Sequence, residues 1–150
     1  MKTKTSSSVA LSLVRHVTLK YASMHMERVL VIAAAGALGA VSRYGAQSLA
    51  NDLAGRPTLL GTLVVNLSGA LLLGLLLGFS EERLNLPTLW RTAGAVGFLG
   101  AYTTFSTMMF ESVERLERGE VLLVVAYLGV SIAFGLALAY TGLVTGRSLA

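Results

Sequence analysis

Four long apolar runs follow one another along this chain, at residues 29–50, 58–79, 89–110 and 121–144. Each is about 20 residues or longer, the length at which an α-helix crosses the hydrocarbon core of a bilayer. The stretches between the runs are short and contain charges, prolines and turn-forming residues. The pattern therefore predicts an all-α membrane protein with four transmembrane helices per subunit.

The composition excludes most other classes of protein. Hydrophobic residues make up 54% of the 150 residues and charged residues only 13%, about half the charged fraction of a soluble chain. This disfavours a cytosolic enzyme, a nucleic-acid binder and a disordered protein. The chain has no cysteine, and its two histidines, His16 and His25, both precede the first run. A thiol nucleophile is excluded, a histidine-based catalytic centre is disfavoured, and we expect no enzymatic activity.

Residues 1–26 form a basic tail that differs from the rest of the chain. The tail carries four of the 12 basic residues and none of the 8 acidic ones, so residues 27–150 are neutral. We expect the tail to be disordered or to result from a mis-chosen start, because Met24 and Met26 lie close to the first run. In composition it also resembles a transit peptide. Residues 27–150 are then the membrane domain.

The basic residues flanking the runs hardly favour one orientation in the membrane. One side would carry Arg28, Arg83, Arg91 and Arg147, and the other Arg56, Arg115 and Arg118. An excess of positive charge normally marks the cytoplasmic side. A difference of four basic residues against three would allow insertion in either orientation. The body of the chain could therefore pair as an antiparallel dimer, whereas the tail would bias the orientation.

A few polar residues inside the runs are the candidate functional residues, because polar groups are costly at membrane depth. Arg43 is either an arginine reaching the interface or a fixed charge beside an anion path. Asn66 either bonds a neighbouring helix or lines a pore. Glu111 is either an exposed helix-end carboxylate or part of a site. Tyr127 and Ser131, four residues apart, share one helical face.

The third run has the densest polar segment, residues 101–107, after Gly94, Gly97 and Gly100. Glycines and hydroxyls weaken a regular helix, and irregular backbone at membrane depth survives only where protein or water covers it. We therefore expect helix three to be broken near its middle. The small residues Ala70 and Gly74, continued by Gly78, indicate close packing of the second helix instead.

Three motifs in sequence order closely resemble the Fluc/CrcB family of fluoride channels. They are Gly39-Ala40-x-x-Arg43-Tyr44, Gly61-Thr62-x-x-Val65-Asn66-x-x-Gly69 and Gly97-x-x-Gly100-x-x-Thr103-Thr104-Phe105-Ser106-Thr107 with Glu111. The third motif is the most specific of them. The resemblance covers residues 28 to about 143.

The resemblance implies an antiparallel, dual-topology homodimer with two fluoride pores and a structural sodium ion at the interface. The sodium ion would be held by the backbone carbonyls of Gly100 and Thr103. The positions that match the fluoride pore are Asn66, Phe105, Ser106, Met108, Tyr127 and Ser131. Those that match the vestibules and the conduction path are Arg43, Thr104, Thr107 and Glu111. Two positions depart from the family pattern: Ala101 replaces a glycine, and Met108 replaces a second pore phenylalanine.

The function implied by the resemblance is passive, fluoride-selective export across the cell (plasma or inner) membrane, which would relieve fluoride toxicity. The implied partners are fluoride, a second copy of the chain and the lipid bilayer, with no nucleic acid. One alternative is an exporter of the small multidrug-resistance type. That class needs a carboxylate within helix one, and none lies between Arg28 and Asn51. The other alternative is a membrane scaffold that transports nothing.

Overall fold

The computed structural model describes residues 4–55, 58–82 and 87–150, and within these ranges the chain is helical and has no β-strand. The first helices are α1 (Lys4–Ala54) and α2 (Leu60–Glu82). The third run of the sequence comprises α3 (Thr88–Thr92), a π-helical segment (Ala93–Leu99), α4 (Gly100–Tyr102) and α5 (Phe105–Glu117). The chain ends with α6 (Val121–Leu149).

Three continuous helical stretches of the described chain are long and apolar enough to cross a membrane. They are Ser23–Ala54, Leu60–Ser80 and Val121–Leu149, and they match the first, second and fourth apolar runs. Only 6%, 28% and 11% of their most apolar windows are buried within the subunit. Apolar surface of this extent is stable only against lipid or another chain. The described chain is thus an all-helical membrane protein.

Helix α1 begins at Lys4, well before the predicted start of the first membrane span at residue 29. Residues 4–26, predicted as a basic tail, continue the same helix in the structure, and residues 1–3 lie outside the described residues. That this segment is separate from the membrane domain, or results from a mis-chosen start, stays a prediction.

The predicted break in helix three is present at Thr103 and Thr104. Thr103 (φ −83°, ψ 157°) and Thr104 (φ −149°, ψ 113°) are both extended, between α4 and α5. Helix α5 then begins with Thr104 as its N-cap, because the Thr104 side-chain oxygen accepts from the Thr107 amide at 3.3 Å. Thr residues are good N-caps, so the sequence itself favours a new helix at this point.

Glycines allow the helices to pack closely. A Cβ on Gly74 would overlap the Ala139 carbonyl oxygen of α6, and one on Gly78 would overlap the Leu143 carbonyl oxygen. The predicted packing role of these two glycines is confirmed. Gly39 of α1 lies equally close to the Phe98 carbonyl of the π-helical segment. The close contacts hold the broken third span against α1 while α2 and α6 pack together.

Candidate functional site

Asn66 of α2 pairs with the broken backbone of the third span. Its Nδ2 donates to the Thr104 carbonyl oxygen at 3.0 Å, and its Oδ1 accepts from the Thr104 amide at 2.7 Å. Both backbone polar groups of Thr104, which a helix would normally satisfy, are therefore bonded to a single side chain. Asn66 does form an interhelical bond, and the bond holds the break open.

The break also diverts two amides away from their helical acceptors. In a continuous α-helix, the Thr104 amide would donate to the Gly100 carbonyl and the Thr107 amide to the Thr103 carbonyl. Here the Thr104 amide donates to Asn66, and the Thr107 amide donates to the Thr104 hydroxyl. The carbonyls of Gly100 and Thr103 thus lack their helical donors, so their lone pairs are available to another ligand.

A cavity of about 360 Å³ opens beside the break. Its lining includes seven of the predicted site residues: Asn66, Gly100, Thr103, Thr104, Phe105, Met108 and Ser131. No charged side chain lines it. The structure therefore brings most of the predicted pore and sodium positions to one neutral cavity.

Met108 occupies the wall of this cavity next to Asn66. The Met108 side chain is buried, and its Sδ lies 4.0 Å from Asn66 Nδ2. A thioether is a weak acceptor. One Asn66 N–H is committed to the Thr104 carbonyl, while the other has only this weak partner. The second N–H is the one that a stronger acceptor in the cavity could take.

Three hydroxyls beside the break, those of Ser106, Thr104 and Thr107, lie in a row of contacts. Thr104 Oγ1 donates to Thr107 Oγ1 at 2.8 Å, and Ser106 Oγ lies 3.5 Å from Thr104 Oγ1. Thr104 is buried, whereas Ser106 is exposed and Phe105 is 71% exposed at the surface of the subunit. Phe105 and Ser106 therefore face away from the interior of this subunit, towards whatever covers it.

Glu111 lies at the centre of a second polar cluster, which also contains Thr62, Tyr127 and Gln47. Thr62 donates to Glu111 Oε1 at 2.7 Å, and the Tyr127 hydroxyl donates to Glu111 Oε2 at 2.9 Å. Gln47 Nε2 in turn donates to Thr62 Oγ1 at 3.1 Å. The carboxylate therefore accepts from α2 and α6 together, and it is not simply a helix-end group facing water.

Two further cavities meet at Glu111. One, of about 280 Å³, is lined by polar groups of α1 and α2 with Thr107. The other, of about 320 Å³, is lined by Glu114, Arg115 and Arg118 with the start of the second span. Arg115 is held by Glu120 at 3.0 Å. A polar path from the break would run through Thr107 to Glu111, where the two cavities meet.

Tyr127 and Arg43 do not line the first cavity, and Ser131 lines it with its hydroxyl proton already bonded. Tyr127 is buried, and its proton is committed to Glu111. Ser131 lines the 360 Å³ cavity, but its hydroxyl donates to the Tyr127 carbonyl at 2.7 Å. Arg43 is half-buried on α1, is absent from the lining of these three cavities and forms no ion pair within the described residues. The structure does not bring Arg43 to the other site residues.

Sequence reasoning missed the roles of Thr62 and Gln47. Thr62 is fully buried and lies four residues before Asn66, so both share one face of α2. That spacing was a usable signal for Thr62. Gln47 is half-buried like its polar neighbours Arg43 and Ser48 on α1, so nothing in the sequence indicates that it faces α2. Its partner lies 15 residues away on another helix.

Comparison with known proteins supplies the family. A family model described as "CrcB-like protein, Camphor Resistance (CrcB)" matches residues 30–143. The chain is 41% identical over 122 residues to a protein of Nitratidesulfovibrio vulgaris named "Fluoride-specific ion channel FluC", covering 81% of this chain and 98% of the relative. It is 44% identical over 111 residues to "Fluoride-specific ion channel FluC 2" of Symbiobacterium thermophilum, covering 74% and 90%. A relative from Coxiella burnetii with the first of these names is 40% identical over 126 residues, covering 83% and 100%. On this evidence of sequence and length, the chain belongs to the CrcB family.

Proposed function

We propose that this protein is a passive, fluoride-selective ion channel of the cell membrane, and not an enzyme. Relatives at about 40% identity across most of the chain are named as fluoride-specific channels. The observation that carries the proposal is the uncharged, mainly apolar cavity at the Asn66–Thr104 break, which the second Asn66 N–H also reaches. A continuous helix would satisfy the backbone at membrane depth without a break or a cavity. A role in ion passage accounts for both.

The cavity offers chemistry that suits a small, strongly hydrated anion. A dry pore must replace the water around the ion with donors, and here the second Asn66 N–H can do so at the cavity, with the Ser106 and Thr107 hydroxyls beside the break. The edge of the Phe105 ring adds positive quadrupole character. None of these groups carries a full charge that would trap the ion, so the ion can both enter and leave.

The direction of transport follows from the membrane potential. A negative interior drives an anion outward with about 2.3 kcal/mol per charge per 100 mV. Hydrogen fluoride enters cells as the neutral acid and dissociates inside, so passive efflux lowers internal fluoride. The expected physiological role is relief of fluoride toxicity.

We infer that two copies assemble as an antiparallel homodimer with two pores. The support is the exposure of Gly100, Phe105 and Ser106 at the break, beside the half-buried Thr103. Polar backbone at this depth needs cover by protein, and a second copy presents the same surface in return. The weak charge bias of residues 27–150 allows both orientations.

The same break fits a structural sodium ion. A hard cation prefers oxygen ligands, and the Gly100 and Thr103 carbonyls have lost their helical donors. The described residues contain no cluster of acidic or histidine side chains that would hold a metal instead. Gly100 and Thr103 of both subunits would hold the ion, which supplies a fixed positive charge at the interface.

We assign conduction roles to the remaining residues. Fluoride would pass from Asn66 and Phe105 along the Ser106, Thr104 and Thr107 hydroxyls towards Glu111. Met108 shapes the wall beside Asn66. Tyr127 and Ser131 of α6 would lie along the same route. Arg43 would add positive charge near a vestibule.

The test is fluoride-electrode recording of efflux from proteoliposomes, with chloride as the matched anion. We expect fast fluoride efflux and no chloride efflux, and loss of the dimer and of efflux when sodium is left out during purification. Chloride efflux as fast as fluoride efflux would contradict the proposed selectivity. An intact dimer with full efflux after preparation without sodium would contradict the sodium site.

A further inference from the structure

The hydrogen bonds of the Glu111 cluster run in one direction, from Gln47 to Thr62 and from Thr62 to Glu111. Thr62 has one hydroxyl proton, and two neighbouring side chains could accept it: Glu111 and Gln47. The Gln47 amide presents its N–H to Thr62, so the Thr62 proton goes to Glu111 Oε1 at 2.7 Å. The direction of both bonds therefore depends on which group Gln47 presents.

Thr62 cannot satisfy its hydroxyl within its own helix. Other hydroxyls of the membrane spans donate to the carbonyl four residues earlier, which costs no partner. They do so at Ser68, Ser112, Ser131 and Thr141. Thr62 is fully buried in the first turn of α2, so the carbonyl four residues earlier, that of Thr58, precedes the helix, and the Thr62 hydroxyl donates to Glu111 instead. Its proton needs an acceptor on another helix, and the choice of acceptor decides where Glu111 lies.

We propose that Gln47 is a positioning residue that keeps the Glu111 carboxylate bonded to Thr62 and Tyr127 where it lines the two outer cavities. The inference rests on the proposed function. With Thr62 on Oε1 and Tyr127 on Oε2, both oxygens of the carboxylate are bonded to hydroxyls, while Glu111 lines both the 280 Å³ and the 320 Å³ cavity. Without the Gln47 N–H, the Thr62 oxygen loses its donor and its bond to Glu111 becomes weaker. The carboxylate is then held less firmly, and its negative charge repels an anion in the cavities that it lines.

The direct test replaces Gln47 with side chains of the same length. Gln47→Met removes the donor and retains the length. Gln47→Glu offers only an acceptor and draws the Thr62 proton away from Glu111. One hydrogen bond corresponds to about a threefold to tenfold change in rate. We therefore expect fluoride efflux to slow by about that factor in Gln47→Met and by more in Gln47→Glu. Ser42→Ala, which changes an exposed α1 residue that lines none of the three cavities, is the matched control and keeps the wild-type rate.

A double-mutant cycle separates positioning from a general effect of residue 47. In a Thr62→Val background, Gln47 has no hydroxyl to orient, so Gln47→Met should cause no further slowing. If the two slowing factors multiply, the proposal is overturned. Equal efflux in wild type, Gln47→Met and Gln47→Glu overturns it as well.

A spectroscopic readout tests the position of the carboxylate itself. The infrared carboxylate band of Glu111, assigned by its loss in Glu111→Gln, should shift in Gln47→Met and stay unchanged in Ser42→Ala. An unshifted band in Gln47→Met overturns the proposal. Failure of the wild type to conduct fluoride would instead refute the proposed function, so the two failures are distinguishable.

Discussion

Replacing Asn66 with aspartate tests both the pairing at the break and the neutrality of the pore. The change keeps the size of the side chain and the acceptor for the Thr104 amide, which is bonded at 2.7 Å. It removes the Nδ2 group that donates to the Thr104 carbonyl at 3.0 Å and faces Met108. It also places a negative charge on the wall of the 360 Å³ cavity.

The expected magnitude follows from the two losses. A hydrogen bond of this kind contributes about 1 kcal/mol, and its loss leaves one carbonyl without a partner. A carboxylate about 4 Å from a permeating anion adds about 4 kcal/mol of repulsion at an effective dielectric constant of about 20. That repulsion alone corresponds to a slowing of about a thousandfold. The fold should survive, because the Thr104 amide keeps its acceptor.

The assay is fluoride efflux from proteoliposomes, with size-exclusion elution in detergent to confirm that the variant assembles. Thr141→Val is the matched control, since the Thr141 hydroxyl is exposed and bonds only the Ala137 carbonyl of its own helix. The control should conduct like the wild type. A correctly eluting Asn66→Asp channel that conducts within threefold of wild type would refute a neutral pore at this cavity.

Three further substitutions test the elements of the site. Thr104→Val removes the N-cap of α5 and should lower the free energy of unfolding by about 1 kcal/mol, measured by thermal melting, whereas Thr104→Ser keeps the cap and restores it. Phe105→Ile removes the exposed ring edge and should slow fluoride efflux about threefold to tenfold with unchanged melting; unchanged efflux would exclude the ring from the pore. Gly74→Ala should destabilise the α2–α6 contact by about 1–3 kcal/mol in the same melting assay, whereas Gly129→Ala, which has open space, should not; equal melting of these two variants would contradict close packing.

The helical spans were predictable because their signal is local. Three of the four apolar runs are continuous helices long and apolar enough to cross a membrane, and the third is interrupted. The small stripe at Gly74 and Gly78 indicated close packing of α2, which the structure places against α6. The density of glycines and hydroxyls placed the break within the correct run. The Thr104 cap is local as well, so it could also have been predicted from the sequence.

The bonds that build the site were not predictable from a single sequence. Asn66 and Thr104 lie 38 residues apart, and Thr62 and Glu111 lie 49 residues apart. No helical period connects such pairs, since their proximity depends on how three spans pack. The same limit applies to Gln47, whose contribution depends entirely on facing Thr62.

The structure also changes the physical reason for the break. The sequence attributes it to Gly94, Gly97 and Gly100 together with the hydroxyls that follow them. Gly94 and Gly97 lie in the π-helical segment and Gly100 in α4, and Gly97 allows close contact with Ile32 and Ala35 of α1. The chain becomes extended only at Thr103 and Thr104, where Asn66 takes both backbone groups of Thr104. One amide side chain thus opens the helix and places its remaining N–H at the cavity.

That coupling has a consequence for how the two proposed ions are related. The Thr104 amide that Asn66 withdraws is the one that would have satisfied the Gly100 carbonyl. The bond that orients the anion-facing amide therefore also frees a carbonyl for the cation at the interface. A variant that loses the Asn66 acceptor, such as Asn66→Leu, should consequently weaken sodium-dependent assembly and fluoride efflux together. Asn66→Asp keeps the acceptor, so it should weaken efflux alone.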